Sequence, residues 1–100
     1  MRGRFDDLIA RQLRLFEVDN ACLLRECDEA ERAYDRAAKD DAEERYGDFL
    51  DLVERATEAL TDIRDHYSRT LADDIAIDYE QAFNRAVLKQ FPRFVLGLDS

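Results

Sequence analysis

Between Arg4 and Tyr46 the chain contains neither glycine nor proline, and the whole sequence holds only Gly3, Gly47, Gly97 and Pro92. Over that uninterrupted stretch apolar residues recur at spacings of three and four, the period of a helix face and not of a strand. The pattern predicts an all-α fold in a single domain spanning residues 1–100. One hundred residues can bury only a modest core.

Three helices are expected. The first covers residues 4–39, with Ile9, Leu13, Phe16, Leu23, Cys27, Ala30, Tyr34 and Ala37 on its buried stripe and Asn20 on the same seam. Val18-Asp19-Asn20 offers a weaker break inside it, because Asp and Asn favour helix ends over interiors. The main break is expected at Ala38-Lys39-Asp40-Asp41, with Asp41 and Glu44 spaced as a capping box. Gly47 is a rival stop. The second helix covers residues 42–69, where Tyr46, Phe49, Val53, Ala56, Leu60, Ile63, Tyr67 and Thr70 form a heptad seam. The third covers residues 74–91, with Ile75, Tyr79, Phe83, Ala86 and Val87 inward, and Pro92 ends it. Its cap is expected among Ser68, Thr70, Asp73 and Asp74, and fusion with the second helix is the alternative.

At 1.5 Å per residue the first two helices would be about 54 and 42 Å long. The expected architecture is therefore an elongated antiparallel hairpin with the third helix packed at its base. A second apolar stripe, Leu8, Leu15 and Cys22, stands ready to meet that third helix. The far end keeps only two helices, which bury little. Tyr34, Tyr46, Phe49, Leu50 and Val53, with Leu52, line that tip, and they are the candidate self-association residues, giving a homodimer closed as a four-helix bundle.

The net charge of −9 is unevenly placed: residues 40–74 carry four basic and twelve acidic side chains. Such a surface repels phosphate backbones, which argues against direct nucleic-acid binding and leaves a basic protein as a possible partner. The acidic candidate face for it is Asp48, Asp51, Glu58, Asp62 and Asp65. No run of residues is long and apolar enough for a membrane span. Phe5-Asp6-Asp7 follows the basic Met1-Arg2-Gly3-Arg4 where a signal segment would be apolar, so a cytoplasmic protein is expected. Cys22 and Cys27 lack CxxC spacing and read as buried, reduced thiols.

Little suggests chemistry. His66 is the only histidine; Asp62 lies one turn away, but the Glu-x-x-His pairs of helical di-iron sites are missing. Glu26, Asp28, Glu29 and Glu31 read as a solvated face paired with Arg25, Arg32 and Arg36. Glycine is too scarce for a phosphate loop, and neither Ser68 nor Ser100 has a triad context. No catalytic, cofactor-binding or metal residues are assigned, and a non-enzymatic interaction module is expected, with an acidic inhibitor of a basic partner, antitoxin-like or a nucleic-acid mimic, as the alternative. The apolar tail, residues 92–100, with Phe91 supplies candidate docking residues Phe91, Phe94, Val95, Leu96 and Leu98, which fold back on the bundle or enter a partner groove.

Tyr46-Gly47-Asp48 resembles the aromatic-glycine turn of the small secreted helical hairpins named for a Trp-x-Gly motif (the WXG family). Here the aromatic is Tyr and the glycine comes one position early; Phe83 also stands where that family's Tyr-x-x-x-acid signal, begun here by Tyr79, has its acid. The resemblance implies a helical hairpin turning near Gly47 and secretion.

Overall fold

The computed structural model describes residues 3–94, and its regular structure there is entirely helical. Four helices follow in order: α1 (Asp6–Asp19), α2 (Ala21–Arg36), α3 (Ala42–Ser68) and α4 (Asp73–Gln90). The single helix expected over residues 4–39 is thus two. Asn20 leaves helical geometry (φ −119°, ψ 28°), and both its backbone N–H and its side-chain amide donate to the carbonyl of Phe16, at 2.9 and 3.0 Å. A short amide side chain competing for a helical carbonyl is why asparagine ends helices. The break turns the faces of α2 relative to α1. Cys22 is consequently exposed, against expectation, while Cys27 is buried. Leu15, from the same expected stripe, is also exposed, and only Leu8 packs on the core.

The other boundaries fall close to their expected places. α2 stops before Ala37, whose backbone is extended, and five residues later α3 begins. Asp41 forms no side-chain cap, so the expected capping box is absent; Glu43 and Glu44 instead place negative charge at the positive end of the α3 dipole. Gly47 lies within α3, so neither the rival stop nor the turn implied by the WXG resemblance forms there. Nothing lies within 4 Å of where a Cβ on Gly47 would sit. This glycine therefore weakens an exposed helix interior by about 1 kcal/mol relative to alanine. α3 and α4 are separate: the Thr70 hydroxyl donates to the carbonyl of Tyr67 at 2.7 Å and helps close α3, and Ala72 is extended. No side chain caps α4, whose first turn carries Asp73 and Asp74. It ends at Gln90, two residues before Pro92.

Ten apolar side chains are buried among the described residues: Ile9, Leu13, Phe16, Cys27, Ala56, Leu60, Tyr79, Phe83, Val87 and Phe94. They gather where α1, α4, the start of α2 and the second half of α3 meet. Tyr79 is the hub. Its ring meets Phe5 of the N-terminal segment at 5.4 Å, Tyr67 of α3 at 4.9 Å and Phe83 at 5.9 Å. Its hydroxyl donates to Gln12 Oε1 of α1 at 2.8 Å. Phe16 and Phe91 repeat the edge-to-face arrangement at the other end of α4, at 5.5 Å. Such pairs add about 0.5–1.5 kcal/mol beyond their burial. The molecule measures 50 × 26 × 25 Å, and its radius of gyration is 15.5 Å, against about 13 Å for a compact chain of this length. No helix among the described residues is long and apolar enough to cross a membrane.

Burial pushes the Tyr79 phenol up from 10.0 to about 12. The folded state therefore holds a proton that the unfolded chain releases near pH 10. This contribution is intact below pH 10 and is lost as pH rises toward about 12. Urea titrations should show a loss of stability over that window that is reduced in Tyr79→Phe. The variant should itself cost about 1 kcal/mol at neutral pH for the lost hydrogen bond.

Candidate interaction surface

The hairpin arm is built by α2 and the first half of α3. From Asp28 to Arg55 not one residue is fully buried. Tyr34 and Tyr46 meet across the arm with ring centroids 5.2 Å apart and planes tilted by 46°. They nevertheless stay 37% and 44% exposed, and Leu50 is 43% exposed. Phe49, Leu52 and Val53 are half-buried, and the last two pack toward the core. Of the five self-association candidates, the structure thus brings Tyr34, Tyr46 and Leu50 to the surface and turns Phe49 and Val53 partly inward.

On the acidic face, Asp48, Asp51, Glu58 and Asp62 are exposed. Asp65 departs from them. It is half-buried and accepts a 2.9 Å hydrogen bond from Arg64 Nε. Arg64 is only 7% exposed, and its Nη1 donates to Asn84 Oδ1 of α4 at 3.1 Å. One turn further along α3, the buried Ser68 hydroxyl donates to Glu80 Oε2 of α4. These groups form a polar seam between α3 and α4. Asn84 Nδ2 is buried there with no acceptor among the described residues. Sequence reasoning missed the seam, although Arg64 and Ser68 sit one turn apart on the flank of the apolar heptads.

His66 is exposed and borders a shallow groove with Gln12, Asp62, Asp65, Tyr67 and Arg69. Among the described residues no group of three or more His, Cys, Asp or Glu side chains converges as a metal site. A second groove of about 590 Å³ runs between α1 and α4 over Ile9, Leu13, Ala82 and Ala86, with Arg85 and Lys89 on its rim.

The mid-α2 carboxylates behave differently from expectation. Asp28 and Glu31 converge on one partner, Arg93, whose guanidinium lies 2.5 Å from Asp28 Oδ1 and 3.2 Å from Glu31 Oε1. Phe94, from the tail candidates, is buried in the core, and Phe91 is half-buried against Phe16. Val95, Leu96 and Leu98 lie outside the described residues. No known protein family, curated protein or solved structure matches this chain.

The two polar surfaces should respond differently to truncation. Arg64→Ala removes a buried guanidinium and strands Asn84, and should cost about 1.5–3 kcal/mol in urea unfolding. Asp62→Ala, on the exposed face, should change stability by less than about 0.5 kcal/mol.

Proposed function

We propose that this chain is a non-catalytic protein–protein interaction module, a homodimeric scaffold or adaptor that self-associates through its hairpin arm. The observation that carries the reading is the absence of any fully buried residue between Asp28 and Arg55, combined with exposed Tyr34, Tyr46 and Leu50 on that same arm. Two helices alone leave part of each apolar stripe wet, and tyrosine and leucine on a shared ridge suit a covered interface. A second arm related by a two-fold axis would supply the missing helices and close a four-helix bundle around Tyr34, Tyr46, Phe49, Leu50 and Val53. The two free thiols, Cys22 and Cys27, favour a reducing, cytoplasmic setting.

The exposed row Asp48, Asp51, Glu58 and Asp62 favours a second reading, a regulator that docks a basic protein. Salt separates the two. Like-charged arms repel, so added salt should tighten self-association, whereas attraction between an acidic face and a basic partner weakens as salt rises.

Light scattering over a concentration series should give a dimer that strengthens with salt. Leu50→Glu should weaken it at least tenfold, about 1.4 kcal/mol, for a leucine whose full burial is worth roughly 1.5–3 kcal/mol. Its helix content should stay unchanged, because Leu50 is exposed in the single chain. A monomer at every concentration and salt would refute the self-association reading.

A further inference from the structure

After α4 the chain forms a short strap, Phe91-Pro92-Arg93-Phe94, that crosses onto α1 and α2. Its backbone bonds are local among the described residues: Phe91 N–H donates to Val87 O, and Phe94 N–H donates to Phe91 O. Contact with the rest of the molecule is therefore made by side chains. Phe91 meets the edge of Phe16 in α1, Phe94 enters the core, and Arg93 bridges Asp28 and Glu31 of α2. The Arg93 guanidinium also lies 5.7 Å from the Phe94 ring centre. Cys27 of α2 has no exposed surface and belongs to the same core cluster as Phe94. Burial raises its thiol pKa, and the charge of Arg93 acts in the opposite direction.

An aromatic, an arginine and a second aromatic fill an apolar bed with an acidic rim, without a shared backbone ladder. Recognition of that kind depends on what the segment carries and not on the chain to which it belongs. The strap's charge grip is exposed to solvent: Arg93 is 33% exposed and both carboxylates 49%. Such pairs contribute little each, about 0–1 kcal/mol. A short tether compensates by holding the strap at an effective concentration on the order of millimolar.

We propose that the corner formed by Phe16, Cys27, Asp28 and Glu31 is a recognition site for a partner protein's aromatic–arginine–aromatic segment, and that the strap is its resident competitor in cis. The charge complement is local: two carboxylates one helical turn apart select a cation between two rings. The site uses none of Tyr34, Tyr46 and Leu50, so the two readings are tested by different variants.

The probe is a fluorescent peptide copying residues 91–98, added to the full chain. Arg93→Ala weakens the cis competitor and should bind the peptide roughly threefold to tenfold tighter than the unaltered protein, the worth of two exposed ion pairs. Adding Asp28→Lys and Glu31→Lys to that variant should remove the gain. Alkylation supplies a second readout with an internal reference. Cys27 should react faster in Arg93→Ala and be protected again by the peptide, while exposed Cys22 reacts at one rate throughout. If Arg93→Ala loses helix content, Arg93→Gln provides the same comparison. Equal peptide affinity with and without the Arg93 grip would overturn the proposal. So would a peptide with Glu in place of its arginine that binds as well. Formation of strap-exchanged dimers that exclude the peptide would overturn it in favour of a second copy as occupant.

Discussion

The constraint on which this structure depends is the amount of apolar surface that four helices can share along 50 Å. All ten fully buried apolar side chains among the described residues lie outside the stretch from Asp28 to Arg55. Three elements converge on Tyr79: the N-terminal segment through Phe5, α1 through Gln12, and α3 through Tyr67. The base is stabilised by burial and ring packing, which act cooperatively. The arm is stabilised by helix propensity, one tyrosine pair and partial burial. Since a net stability of about 5–15 kcal/mol is typical of a whole domain, such a division leaves the arm at the low end of local stability.

That imbalance is what the proposed self-association rests on. Under the proposed self-association, the arm would gain from a second arm the burial that it does not obtain within one chain. The acidic charge concentrated in residues 40–74 then acts against indiscriminate association, because arms that approach must overcome like-charge repulsion. The strap works where the core meets the arm, with Arg93 on Asp28 and Glu31 of α2. Phe91 docks on Phe16, the residue whose carbonyl Asn20 takes at the break between α1 and α2.

Much of this was legible in the sequence because it depends on local pattern. The helical period, an interruption near Ala38–Asp41, the reach of α3 and the stop before Pro92 follow from the apolar spacing, the Asp40-Asp41 pair and the proline. The Asn20 break was harder to read: the apolar stripe runs through it, and only the Asp19-Asn20 pair signals a competitor for backbone hydrogen bonds. Its consequence for Cys22 could not be read at all, since a change of helix direction alters which side faces the core. The Arg64–Asn84 contact spans 20 residues and the Arg93–Asp28 contact 65. In a chain rich in arginine and aspartate, sequence alone offers too many equivalent pairings to select these.

Amide hydrogen exchange as a function of protein concentration tests the central claim most directly. The account predicts that residues 28–55 exchange rapidly in dilute solution and become protected as concentration rises, while amides around Tyr79 and Phe83 remain protected throughout. An arm as strongly protected as the base in dilute solution, with no dependence on concentration, would contradict it.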